Sequence, residues 1–455
     1  MKKIIPYILP LCFMSFFISC KKFIEVDPPV DKIVFETAFS DDATATASVT
    51  GLYSQMMQQY QFFGSYALTL YPGFAADELT STRNDNTENA FIQNQLTPGN
   101  SVCYDLWRTA YKYIYQANAC IQGLSAAKTV TDSLRKSLIG EAKFIHAFIY
   151  FYLVNLYGDV PLITTTDYQT NQSIARTPAD QVYNYMINEL LDAQQALPLS
   201  YISSGRARPN KFAAEALLSR IYLYRQQWPN TEQAASDIIN SGLYSLAAAP
   251  ANVFLSSSNE TIWQLSSVVS NINTYEGNNF LPVTATVVPK YPLSVYLMNS
   301  FEAGDTRKTS WVKYSLIGGN TYNYSYKYKV RTGSAVTENP VYLRLAEQYL
   351  IRAEARAQQN NIAGAKSDID IIRSRAGLPA SSVSDKNSAL AAIEHECQVE
   401  LFAEWGHRWL DLKRWGRADA VLSPVKSGWQ SFDTLWPLPY SELQLNPVLT
   451  QNSGY

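Results

Sequence analysis

Apolar residues return every three or four positions along several stretches of this 455-residue chain, the spacing that gathers them on one face of a helix. In "DLWRTAYKYIYQANACIQGL" they fall at Trp107, Ala110, Ile114, Ala117, Ile121 and Leu124. A second helix is predicted over 133–157, stopped by Gly158 and Pro161, and it should pair with the first. A third begins in "TPADQVYNYMINELLDAQQAL", where Thr177 offers a cap, Pro178 suits the first helical position and Asp180 faces the free amides. Residues 217–239 and 349–372 read as related units, each a helix ending in Gln-Gln, a short turn, and a second helix leading to Ser-Asp-Ile. Helix pairs of about 34 residues are tetratricopeptide-like; they stack because neither helix buries its apolar face alone.

Between these units the period is lost. From about 242 to 339 the chain is rich in Pro, Asn, Ser and Gly and reads as loop and short strand. Within it "TYNYSYKYKV" alternates, with Tyr322, Tyr324, Tyr326 and Tyr328 on one face and Asn323, Ser325, Lys327 and Lys329 on the other. Asn339-Pro340 then reads as the cap of a helix beginning "VYLRLAEQ". The predicted fold is mainly α: tetratricopeptide-repeat-like helix pairs in an α-α superhelix over about 40–240 and 340–422, with a loop-rich insertion containing short strands.

The stretch "ELFAEWGHRWLDLKRWG", residues 400–416, concentrates charge and tryptophan. Read as one helix, it sets Phe402, Trp405, Trp409 and Leu412 in an apolar stripe, and Glu400, Glu404, Arg408 and Asp411 at spacings of three and four. Glu404 and His407 have the Glu-x-x-His spacing of carboxylate-bridged di-metal bundles, which need a second such pair; His146 and His395 are the only other histidines and supply none. His395-Glu396 opens like the zinc-protease motif, but Val399 stands where the second histidine belongs. The chain lacks a Gly-x-Ser-x-Gly elbow and a phosphate-cradling GxxxxGK or GxGxxG. A glycosidase carboxylate pair has no fixed sequence spacing, so the 39 acidic residues leave it open. The stretch is read as a structural ion-pair ladder that fixes register and packing, and no metal or cofactor is expected.

A net charge of −2 and the lack of a basic run with interleaved aromatics argue against nucleic acid as a partner. The 31 tyrosines suit half-buried packing or stacking on flat polar ligands such as sugars. At the N-terminus Lys2 and Lys3, an apolar run from Ile4 to Ile18, and Ser19 before Cys20 make an export signal over residues 1–19. The run is short for a membrane span. A cysteine at that point resembles the bacterial lipobox, with Phe17 where leucine is usual, so the mature chain is expected to start at a lipid-modified Cys20. Apart from Cys12 and Cys20, only Cys103, Cys120 and Cys397 remain. The first two lie about 25 Å apart on one predicted helix, too far to pair, and buried free thiols are expected.

Residues 400–415 resemble the C-terminal signature of the SusD/RagB outer-membrane nutrient-binding lipoproteins of Bacteroidetes. "CKKFIEVDPP", "DLWRTAYKYIYQAN", "EAKFIHAFIYFYLVNLYGDVPLI", "GRARPNKFAAEALLSRIYLYRQQW", "YLRLAEQYLIRAEARAQ" and "PLPYSELQLNPVLTQNSGY" resemble the family in the same order, across nearly the whole mature chain. Departures are His146 where arginine is more usual, Cys397-Gln398 in place of a basic pair, and Lys21-Lys22 in place of acidic residues. The resemblance implies a single domain over 20–455 on four repeat-like helix pairs, with irregular segments forming the ligand face. It also implies a lipid-anchored, surface-exposed lid on a SusC-like TonB-dependent transporter, capturing oligosaccharides or, in the RagB-like alternative, peptides. An enzyme is not implied.

Ligand residues in that family vary and carry over by segment. One segment holds Arg83, Asn84, Asp85 and Asn86, which can bond hydroxyls, and Phe91 as a stacking ring; the other, in the insertion, holds Tyr275, Tyr291, Trp311 and Tyr314. Sugar recognition takes rings over C–H faces and planar polar groups on hydroxyls, and each segment carries both. Two other classes stay open: a surface glycoside hydrolase, and a helical scaffold that binds protein.

Overall fold

Residues 37–58 and 66–455 are described in a computed structural model; the export segment and Cys20 lie outside them. Helix α1 (Asp42–Met56) opens with a capping box from Asp41, and α2 (Ala67–Ala75) and the short α3 (Asn86–Ile92) follow. Helix α4 (Ser101–Ala126) starts where the Asn100 side chain accepts from the amides of Val102 and Cys103. Helix α5 (Asp132–Tyr157) stops at Gly158, whose φ of 76° is a left-handed conformation that glycine adopts without strain. The apolar stretch of α5 is long enough to cross a bilayer, yet it forms the centre of the molecule, with α1 and α4 packed on it.

After the single turn α6 (Tyr168–Asn171) comes α7 (Ala179–Ala196). Its start differs from the prediction. Pro178 is the capping residue and makes no side-chain cap, while Thr177 pairs with Val160 through backbone hydrogen bonds. Asp159 caps the helix from a distance, accepting from the Ala179 amide at 2.8 Å. Helix α8 (Lys211–Tyr224), capped by Asn210, and α9 (Trp228–Asn240) form the first of the two related units.

The insertion contributes β1 (Thr261–Gln264), three one-to-two-turn helices α10 (Tyr275–Phe280), α11 (Val295–Ser300) and α12 (Thr306–Trp311), and the hairpin β2 (Val312–Ile317) and β3 (Asn320–Ser325). Gly318 and Gly319 close the hairpin with φ of 57° and 80°, the pair of positive values a two-residue turn demands. Residues 341–344, predicted as helix, are strand β4 (Val341–Arg344), antiparallel to β1. Pro340 holds the residue before it extended, and the partner strand sets the rest; helix α13 (Leu345–Gln358) starts only after Arg344. Helices α14 (Ile362–Arg375) and α15 (Lys386–Glu400) complete the stack. The packing order is α4, α5, α7, α8, α9, α13, α14 and α15, so the two related units lie side by side although the insertion separates them in sequence. The buried Arg220–Glu347 pair, at 2.6 and 2.8 Å, joins α8 to α13.

The charged stretch is not one helix. Helix α15 ends at Glu400, and the chain turns through Leu401–Gly406 with Ala403, Trp405 and Gly406 all left-handed, at φ of 50°, 47° and 73°. Helix α16 (His407–Arg414) starts there; α17 (Ala418–Leu422) and α18 (Tyr440–Leu445) follow. The predicted row of neighbouring charges therefore does not exist. Glu404 meets Lys327 and Arg344, while Arg408 meets Asp77 at 2.8 and 2.9 Å. The ion pairs are structural, but they tie distant segments together.

Cys103, Cys120 and Cys397 are buried and free, and burial pushes the Cys120 thiol up to about 12. Since the thiolate is the reactive form, none of the three should react with Ellman's reagent at pH 8 until denaturant is added. Fast reaction of any one under native conditions would contradict this packing.

Candidate ligand-binding site

The two segments singled out in the sequence meet, although about 200 residues separate them. Leu79 bridges Leu293, and the amides of Thr80 and Thr82 donate to Pro292 and Lys290 at 2.8 and 3.0 Å. On its other side the 290–293 segment joins β3, where Leu293 donates to Asn323 at 2.8 Å and Pro292 bridges Tyr324. Strand β3 pairs with β2 in a register that sets Asn323 opposite Tyr314. Four segments, 79–82, 290–293, β3 and β2, thus run as one irregular ladder, about 14 Å across at normal strand spacing.

Along this face Arg83 stands at one edge. Its guanidinium, nearly half exposed, donates to the Tyr291 hydroxyl at 3.0 Å and pairs with Glu88 at 3.2 Å and Asp85 at 3.3 Å. Tyr291 in turn donates to Glu88 at 3.1 Å. Asn84 and Asn86 are exposed beside it, whereas Asp85 is occupied capping α3. At the other edge Tyr314 is 64% exposed, and Leu316, on the same strand face, 65%. Tyr296 on α11, the helix that follows the 290–293 segment, is 46% exposed and is a ring that the sequence reading missed. The available signal was Ser294, which caps α11 and leaves Leu297 inward and Tyr296 outward.

Four of the predicted stacking rings face inward. Phe91 is buried against Tyr71 and Trp436. Tyr291 packs edge-on to Phe74 and Phe280, so only its hydroxyl reaches the Arg83 cluster. Tyr275 is 6% exposed. Trp311 is fully buried, its indole donates to Pro250 at 2.7 Å, and Lys327 sits over its ring. A large ring gains more from burial than from a solvated face, which is why the chain uses these four as core.

Lys327 also corrects the alternating reading of 321–330. Strand β3 ends at Ser325, and Lys327, predicted on the polar face, is buried with its ammonium on Glu404, the Glu400 carbonyl and the Phe402 ring. Burial pulls it down to about 8 against the attraction of Glu404.

The signature region therefore holds both edges of the ladder. Arg408 grips Asp77, two residues before Leu79, and Glu404 with Glu400 grips Lys327, two residues past β3. Behind them Glu400 accepts from Arg344 at 2.6 Å and Arg307 at 3.2 Å and also pairs with Arg375, while Glu396 joins Arg307 and Arg373, each at 2.8 Å. Burial alone would raise the Glu400 carboxyl, but these guanidinium groups outweigh it and hold it well below the usual carboxylate range. Glu302, His395 and Glu396 lie close enough to suit a cation, yet Arg373 bonds both carboxylates and already supplies the positive charge.

Glu78, between the clamp and the ladder, is the opposite case. Burial and the neighbouring Asp77 push it up to about 8. A carboxyl whose folded pKa is raised adds stability below the unfolded value, and that stability is lost as pH rises through about 8. Thermal melts should show wild type losing stability between pH 5 and 9 relative to Glu78→Gln; parallel pH profiles would contradict a neutral Glu78.

Residues 22–223 match a family described as starch-binding and associating with the outer membrane, and residues 259–455 match the SusD family. The chain is 26% identical to the SusD-like protein P25 of Formosa agariphila, over 100% of this chain and 99% of that one. It is 25% identical to a SusD-like protein of Bacteroides ovatus, over 76% of this chain and 71% of that one. A SusD superfamily structure from Bacteroides vulgatus superposes with a TM-score of 0.81 at 21% identity, covering 92% of this chain and all of that one. A laminarin-binding SusD-like protein superposes at 0.77 with 22% identity, again over 92% of this chain and all of that one. The mainly helical fold agrees with these matches: the chain belongs to the SusD/RagB family.

Proposed function

We propose that this protein is a lipid-anchored, surface-exposed outer-membrane component, held through Cys20, that captures oligosaccharides and passes them to a SusC-like TonB-dependent transporter. The observation that carries the reading is the ladder, which has the Arg83 guanidinium and the exposed amides of Asn84 and Asn86 at one edge and the exposed ring of Tyr314 on β2 at the other. Planar donors can bond sugar hydroxyls and the ring can cover C–H faces. Family membership supports a binding role without catalysis, as does a solved relative that binds laminarin.

Loss of one charge-assisted hydrogen bond or one stacking ring at such a face is expected to weaken binding about 10- to 100-fold. Tyr314→Ala and Arg83→Ala should each do so in calorimetric titrations with the preferred glycan. Trp311→Ala, by contrast, should lower the melting temperature through lost packing. Unchanged affinity in both surface variants would remove this face from the site. Delivery is tested by purifying the full-length chain from outer membranes in mild detergent; recovery without a TonB-dependent barrel would contradict that half of the proposal.

A further inference from the structure

A groove outside the ladder face has the makings of a second sugar site. Trp107, Tyr111 and Tyr115 follow one another at i, i+4 and i+8 on α4, so they share a face and extend about 12 Å along it. Their exposure rises in that order: Trp107 is buried at 2%, Tyr111 is half-buried and Tyr115 is 52% exposed. The groove they line holds about 540 Å³, within the range of small-ligand sites. Tyr168, 72% exposed, lines the same groove from α6 with Asn171 and the following Gln172.

Polar groups accompany the rings. The Asn171 amide nitrogen donates to Thr165 at 2.9 Å, but its Oδ1 is buried with no partner among the described residues. Unpaired buried acceptors are uncommon, because each loses its bonds to water without replacement. Gln172 is exposed beside it, and Glu442 on α18 takes a hydrogen bond from the Trp107 indole. Among the described residues that line the groove Glu442 is the sole charged one, and none is a lysine or arginine that could pair with a sulfate or uronate. The electrostatics favour a neutral ligand.

We propose that this groove binds a short segment of neutral oligosaccharide, stacked along Tyr111 and Tyr115 and closed over by Tyr168. The inference rests on the glycan-capture reading above, and it adds a site that can hold a second stretch of a long chain or a second molecule.

The test titrates neutral glucan, mannan, xylan and galactan oligosaccharides into the full mature chain in detergent micelles. Wild type, Tyr115→Ala/Tyr168→Ala and Arg83→Ala/Tyr314→Ala are compared, with melting temperatures as folding controls. The expected result is a glycan bound about tenfold more weakly, or with one site fewer, by the groove variant. If the ladder variant loses affinity and the groove variant matches wild type for every glycan, the groove proposal is overturned and the capture reading stands. If only the groove variant loses affinity, the groove is supported and the ladder face is not the site. If no glycan binds, both fail. Tyr115 and Tyr168 are exposed enough that their loss should leave the fold intact, and Tyr168→Ala alone provides the second, milder variant.

Discussion

Glu400→Ala is expected to lower the stability of the folded protein by about 3–5 kcal/mol, the cost of breaking a buried ion pair by removing one partner. Three guanidinium groups, from Arg307, Arg344 and Arg375, converge on this carboxylate in the interior. Its removal leaves them short of negative charge where water cannot compensate. Chemical denaturation at pH 7 measures the effect; a loss under about 1 kcal/mol would mean that the network is solvated like a surface pair. The pH dependence has a definite sign. The folded-state carboxyl titrates below its unfolded value, so its contribution is present above about pH 4.5 and is lost as pH falls through the folded value. Wild type should lose stability faster than Glu400→Gln below pH 4.

The second large effect is expected at Gly406. A Cβ there would stand 2.8 Å from the Pro72 Cβ and 3.1 Å from the Leu68 carbonyl oxygen, at a φ of 73°. The left-handed backbone costs a non-glycine residue about 1–2 kcal/mol, and the overlap with α2 adds overpacking strain, so Gly406→Ala should lose about 2–4 kcal/mol in total. Ala403→Gly, at a φ of 50°, relieves strain of the same kind and should be tolerated. Thermal melts of the two variants decide it, since equal effects would mean that the 401–406 turn can rearrange away from α2. The turn matters for the site because it fixes Arg408 against Asp77 and Trp405 against β4, where the indole donates to Val341 at 2.7 Å and stacks on Tyr342 at 3.9 Å.

That turn also shows where sequence reading ended. Helix α4 was legible from its 3.6-residue apolar period, and α5 from a long apolar run that stops at Gly158 and Pro161. Across 400–416 the same period continued, and Gly406 was the local sign of a break. The left-handed residues at 403 and 405 are held by tertiary partners, including the Thr69 hydroxyl that accepts from the Trp405 amide at 3.1 Å, and no local pattern encodes these. At Val341–Arg344 the pairing with β1, some eighty residues earlier, likewise overrode a helical period.

The candidate face was legible as two segments and illegible as a surface. Nothing local says that 79–82 pairs with 290–293, so the joint ladder emerged only from the fold. Aromatic residues in the insertion read alike in sequence, yet Trp311 and Tyr291 became core while Tyr296 and Tyr314 stayed outside. The difference lies in tertiary partners, Phe402 of the signature region for Trp311 and Phe74 with Phe280 for Tyr291, as with Lys327, whose buried ammonium finds Glu404 across 77 residues of chain.

The most direct test of glycan capture is a titration of the full mature chain with a polysaccharide and oligopeptide panel, followed by chromatography of each bound compound. The account predicts saturable binding of an oligosaccharide that is recovered intact and is held more weakly by Tyr314→Ala. Breakdown of the bound glycan, or binding confined to peptides, would contradict it.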